Sequence, residues 1–177
     1  MAEKYAGQIA PLIDPAKLAT LSVRGANPRI QKAVYWLEMA RQDEANPSTV
    51  LALALAKVGM TNKLAAELTR DALLRNHKIA GQLGCLDQTG LDGMRRGKSP
   101  TVRNGPYAGQ ALSVDHIIPR SVVPELDNVI ANLELLPLKV NQSKSDKVGQ
   151  RQSALAESLH RAGLLSEQGY RAVKRGD

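Results

Sequence analysis

A mainly helical fold with one small β-hairpin is what this sequence predicts, and three features predict it. Asp14-Pro15, Asn27-Pro28 and Asn46-Pro47 each set a capping side chain before a proline suited to the first helical position. Apolar residues recur at helical spacing through the segments that follow. Two short apolar runs, at 111–114 and 132–136, stand on either side of a long connection carrying Pro119 and Pro124, and they read as strands.

Taken in order, helices are expected at about 15–22, 28–44, 47–58 and 62–78. In the second, Ile30, Val34, Leu37 and Ala40 or Arg41 share one stripe; in the fourth, Leu64, Leu68, Ala72 or Leu73, and Leu74 do the same. Gly59 and Gly81 read as stops around that fourth helix. Residues 81–110 hold seven glycines and read as loop, with Arg103-Asn104-Gly105-Pro106 as a turn. A helix follows Pro137 and runs to about Lys147. Helices at 151–162 and 166–175, parted by Gly163, close the chain. The implied organisation is a helical region over 1–80, a unit with catalytic character over 81–150, and C-terminal helices over 151–177 packing on it.

Composition narrows the classes. A chain of 177 residues, 43% hydrophobic and 23% charged, can bury a core unaided and is neither disordered nor collagen-like. Its longest apolar run, Val50 to Ala56, is far short of a membrane span, and Met1 to Tyr5 lacks the apolar stretch of a signal peptide, so a cytoplasmic protein is expected. The single Cys85 excludes an internal disulfide and a CxxC zinc staple, and reads as an apolar filler. Net charge is +7, consistent with a polyanionic partner. Arg95, Arg96, Lys98 and Arg103 cluster with no acid among them, and Lys144, Lys147 and Arg151 follow the second strand.

The segment with chemical character is Val114-Asp115-His116-Ile117-Ile118-Pro119-Arg120, followed by Asn132-Leu133-Glu134-Leu135-Leu136 and Asn141-Gln142-Ser143-Lys144. Strand, loop, strand and helix would bring Asp115, His116, Asn132 and Asn141 together. Asp115 and His116 point to opposite faces of a strand, and both can address one site only where that strand ends.

These residues resemble the HNH endonucleases. Asp-His-Ile-Ile-Pro, then Asn-Leu-Glu-Leu-Leu, then Asn141 nine residues after Asn132, then Lys144, follow that family's order. The ending in Asn instead of His is similar to the HNH domain of RNA-guided CRISPR effector nucleases. The resemblance covers about 35–50 residues and implies a ββα-metal unit braced here by N- and C-terminal helices, since paired CxxC zinc ligands are absent.

It also implies metal-dependent phosphodiester hydrolysis, and the roles follow from what that reaction requires. His116 would be the general base, imidazole being the side chain whose ordinary titration range suits that task. Asp115 and Asn141 would hold one divalent cation; carboxylate and amide oxygens suit Mg²⁺ or Mn²⁺ better than Zn²⁺. Asn132 would orient the loop or the His116 ring, Lys144 would face the phosphate or the transition state, and Arg120 is a second choice for that contact.

The substrate is expected to be nucleic acid, and duplex DNA in particular. With 3% aromatic residues the chain offers little to stack on single-stranded bases, so Arg95, Arg96, Lys98, Arg103, Arg120, Lys147 and Arg151 would hold phosphates. A competing expectation is a non-catalytic nucleic-acid-binding module, in which the last two helices, joined around Gly163, act loosely as a helix-turn-helix. A protein-interaction scaffold built from the N-terminal helices rests on amphipathicity alone, which core packing explains equally well.

Overall fold

A computed structural model describes residues 1–176; Asp177, the last residue of the expected C-terminal region, lies outside them. The helices are α1 (Ala2–Ile13), α2 (Pro15–Leu18), α3 (Asn27–Gln42), α4 (Pro47–Lys57), α5 (Lys63–Gln82), α6 (Gln88–Arg95), α7 (Leu138–Ser143), α8 (Gln150–Arg161) and α9 (Glu167–Gly176). The strands β1 (Leu112–His116) and β2 (Leu133–Pro137) pair antiparallel, with Asp115 opposite Glu134 and His116 opposite Leu133. The fold is mainly helical with one two-stranded sheet, and no helix among the described residues is long and apolar enough to cross a membrane.

Capping side chains start several helices where expected. Asp14 accepts from the Ala16 N–H at 3.0 Å and Asn46 from the Thr49 N–H at 3.1 Å. Asn62 does the same for the Ala65 N–H at 3.0 Å. Asn27 departs from its expected role: it lies inside α3, whose N-cap is Ala26. The Ala26 N–H donates to Asn128 Oδ1 at 3.0 Å, so a distant loop supplies the partner that a local cap would have supplied.

Several expected boundaries move, each for a visible reason. Helix α1 was not expected. Tyr5, Ile9 and Ile13 bury one face at four-residue spacing, and Pro11 sits in the last turn. Helix α2 ends at Leu18 instead of 22, because the backbone beyond it bonds elsewhere. Asn128 donates to the Ser22 carbonyl at 3.1 Å, and the Arg24 N–H donates to Asp127 Oδ2 at 2.9 Å. Helix α5 runs on to Gln82 with Gly81 inside it.

Helix α6 occupies part of the stretch read as loop. Its Gly90 is there for close approach and not for a turn: a Cβ at that position would run into the Cys85 carbonyl oxygen. Helix α7 ends at Ser143 instead of about 147, with Lys144 in extended conformation.

Two apolar clusters hold the fold. In the larger, Leu112, Val114, Leu133 and Leu135 of the hairpin pack with Ile9, Ile30, Leu37, Leu51 and Leu73 of the N-terminal helices, and the buried Cys85 fills the same core. In the smaller, Ile118, Val123 and Leu126 of the connection pack with Ala156, Leu159 and Val173 of α8 and α9. The strands are therefore held by the N-terminal helices, and the connection between them by the C-terminal ones.

Buried amides complete the grip. Asn76 of α5 donates to the Leu133 carbonyl at 3.0 Å and accepts from the Leu135 N–H at 3.0 Å, satisfying the outer edge of β2. Gln31 of α3 donates to the Leu112 carbonyl at 3.1 Å. A two-strand sheet leaves both edges open, and these side chains close them where water cannot reach.

Candidate active site

Alternation along β1 sorts the side chains. Leu112 and Val114 enter the core, while Ser113 and Asp115 face the other side with Glu134 and Leu136. His116 is the last residue of the strand, where the chain turns toward Pro119. As a result Asp115 and His116 line the same cavity, of about 300 Å³, together with Arg24, Arg120, Asn141 and Lys144. Asp115 and His116 are themselves buried, 7% and 6% exposed, and both line this opening.

His116 is held by a residue not singled out in the sequence. Its Nε2 lies 3.0 Å from the backbone oxygen of Asp127 and 3.0 Å from Asp127 Oδ1. The backbone oxygen can only accept, so in the neutral ring Nε2 carries the hydrogen and Nδ1 keeps the lone pair, while Oδ1 stands close by without a hydrogen bond of its own. Arg120 Nε stands 3.6 Å from the same Oδ1. Asp127 lies in the connection between the strands, and no periodicity marks it. Its one local sign is its neighbour Asn128, both being residue types that favour turns.

Asn132 does not touch the cavity. Its side chain is fully buried and bridges one residue twice: Oδ1 accepts from the Ile118 N–H at 2.8 Å, and Nδ2 donates to the Ile118 carbonyl at 3.1 Å. It is a positioning residue: of the two orienting roles expected for it, on the loop or on the His116 ring, its bonds act on the loop after His116.

Lys144 is drawn inward. Its ammonium pairs with Asp115 Oδ2 and donates to the His116 carbonyl at 3.1 Å. Asn141, on α7, uses its Nδ2 on Ser113 Oγ at 3.0 Å and on the Val114 carbonyl at 3.4 Å, so its Oδ1 is the atom left for another partner. Asp146 also lines the cavity and accepts from Ser121 Oγ at 2.7 Å.

The remaining cations expected at the site lie outside the cavity lining. Arg103 pairs with Asp87 at 3.2 Å beside the turn from α5 to α6. Arg151 is bound bidentately by Glu134, at 2.9 and 2.8 Å, and that hydrogen bonding raises its pKa further. Arg75 approaches the same carboxylate at 3.7 Å, and burial lowers its pKa. Arg95, Arg96, Lys98 and Lys147 are exposed and do not line the cavity.

A second buried cluster lies between α3 and α5. His77 lies inside α5 and points its Nε2 at Glu38 Oε1, 2.9 Å away. Glu38 also accepts from Arg41 Nε at 2.8 Å and from Gln42 at 3.2 Å. Burial alone would raise the Glu38 carboxyl; the bonds from Arg41, His77 and Gln42 outweigh it and hold the group at about 2.

Among the described residues no group of three or more His, Cys, Asp or Glu side chains is arranged to hold a metal ion. The residues that could meet a cation are Asp115 and Asn141, with Asp146 at the rim. The Lys144 ammonium against Asp115 shows that this carboxylate is already placed to hold a positive charge. No family model, curated protein or solved structure matches the chain.

Proposed function

We propose that this protein is a metal-dependent endonuclease of the HNH type, its β1, β2 and α7 forming a ββα-metal unit, and that it hydrolyses phosphodiester bonds in duplex DNA. One observation carries the reading: Asp115, His116, Asn141 and Lys144 converge on one cavity, with the imidazole held by Asp127 so that one ring nitrogen remains basic.

Asp115 and the free Oδ1 of Asn141 would hold the divalent cation. This oxygen set suits Mg²⁺ or Mn²⁺, which keep several waters, and falls short of the three protein ligands that a catalytic Zn²⁺ takes. Bound there, the cation would neutralise charge on the phosphate and the leaving oxygen. His116 Nδ1 takes the proton from the attacking water. Asn132 and Asp127 hold the turn and the ring, so that nitrogen keeps its aim. Arg24 and Arg120, on the cavity wall, face an incoming phosphate. With a cation on Asp115, Lys144 would be displaced from that carboxylate and could meet a phosphate oxygen.

The test is incubation with supercoiled plasmid and Mg²⁺, Mn²⁺, Zn²⁺ or EDTA. Nicked or linear product with Mg²⁺ or Mn²⁺, none with EDTA and none from His116→Ala is the expected pattern. Plasmid left intact under every cation removes the nuclease reading.

A further inference from the structure

The cations on this surface fall into two kinds. Arg41, Arg75, Arg103, Arg151 and Arg171 each lie within ion-pair distance of a carboxylate. Arg24, Arg29, Lys32, Arg95, Arg96 and Lys98 have no such partner among the described residues, and neither have the scattered Lys63, Lys78 and Arg161. The first six come from two segments far apart in sequence, 24–32 and 95–98.

Gly97 is where the two segments meet. Its φ is +81°, and a Cβ there would lie 2.9 Å from Pro28 Cβ and 3.3 Å from Lys32 Cε. The end of α6 thus rests directly on the first turns of α3, and the Lys32 stem runs alongside the backbone between Arg96 and Lys98. At the other end Arg24 is exposed and lines the His116 cavity. It is held there by its own N–H, which donates to Asp127 Oδ2, while Arg29 is steadied by one bond to the Pro11 carbonyl at 3.0 Å. These contacts set the six residues out as a strip: Arg24 at the cavity, Arg29 and Lys32 on the first turns of α3, and Arg95, Arg96 and Lys98 where the end of α6 meets them.

We infer that this strip is the docking surface for the phosphate backbone of duplex DNA, leading it into the cavity; for what happens at the cavity end, the inference rests on the nuclease reading above. Cations already matched by carboxylates gain little from a phosphate, whereas unmatched ones release counterions from the duplex when they bind. Neither segment holds an aromatic residue, so unstacked bases find no platform there. Of the two amides in these segments, Gln31 is buried and committed to the Leu112 carbonyl, and Asn27 is half-buried in the first turn of α3, which leaves the cations to make the contact. The contact is therefore with backbone and independent of sequence.

Binding of the full chain to two unrelated duplexes is measured in EDTA across a salt series. The strip variants are R95S/R96S/K98S and R24S/K32S. A control, K63S/K78S/R161S, removes as much charge as the first from exposed positions on α5 and α8. Each strip variant should flatten the log–log salt slope by about one for every phosphate it ceases to neutralise, equally for both duplexes, and the control should keep the wild-type slope. Unchanged slopes in both strip variants overturn the proposal. So do equal losses in the control, tighter binding to single strands than to duplex, or absence of duplex binding by the wild type. Plasmid cleavage with Mg²⁺, run in parallel, separates the two readings. Duplex bound through the strip but never cut sinks the nuclease alone, and cleavage with unaltered slopes sinks the strip alone.

Discussion

The ring Nε2 of His116 lies 3.0 Å from both the backbone oxygen and the Oδ1 of Asp127, and it is the backbone oxygen that takes its hydrogen bond. The arrangement decides the tautomer without any contribution from a residue near His116 in sequence. It also links the base to Arg24, whose N–H is bound by the other oxygen of the same carboxylate.

His116→Ala is expected to lower cleavage by about 100-fold or more while leaving DNA binding and fold intact. Asp127→Ala leaves the backbone acceptor in place and is expected to lower kcat about 10-fold, with KM within about two-fold, as befits a group that orients the base. Steady-state kinetics on a nicked-plasmid assay reads both. A fall in KM alone for Asp127→Ala would contradict the assignment.

Asn132→Ala leaves the N–H and the carbonyl of Ile118 without partners in a site closed to water. Each such orphan costs about 1–3 kcal/mol, so a loss of about 2–4 kcal/mol is expected in denaturant unfolding. A loss below about 1 kcal/mol would mean that the bridge is not what holds this turn.

Lys144 and a divalent cation compete for Asp115. Lys144→Ala is therefore expected to bind Mn²⁺ about 10-fold more tightly than the wild type, and Asp115→Asn to lose binding, both read by calorimetry without substrate. Asn141→His should shift preference toward softer ions such as Zn²⁺. Equal Mn²⁺ affinity in wild type and Lys144→Ala would show that the ammonium does not occupy the cation's place.

Glu38 titrates at about 2, below its ordinary 4.5. Its folded-state pKa is lower than its unfolded one, so its contribution is complete above pH 4.5 and is lost as pH falls toward 2. The wild type should lose about 3 kcal/mol of stability across that window. Glu38→Gln should be less stable at neutral pH and show a shallower acid slope. Identical slopes for the two proteins, from denaturant titrations at several pH values, would contradict this.

Much of the fold is legible because its signals are local. Asp14-Pro15, Asn46-Pro47 and Asn62 start helices through bonds that span two or three residues, and capping chemistry reads directly from such neighbours. The hairpin is legible from its apolar runs, with its ends shifted by one or two residues. Helix α6 is not, because Gly90 reads as a breaker until the Cys85 carbonyl is seen against it. The ends of α2 and α7 are not, because Asp127, Asn128 and Asp115 capture the backbone or side chains that would have continued them.

The helical class, the hairpin and the order of Asp115, His116, Asn132, Asn141 and Lys144 can be read from the chain directly, since these depend on residue type and spacing along one segment. Only the tertiary structure decided what each of them meets. Asn132 turned inward to Ile118, Asp127 became the partner of His116, Arg151 was matched by Glu134, and segments 24–32 and 95–98 merged into one unmatched strip across Gly97. The reason is range. Capping and periodicity act within about one helical turn, whereas charge pairing and the satisfaction of buried polar groups depend on which distant segments the core brings together.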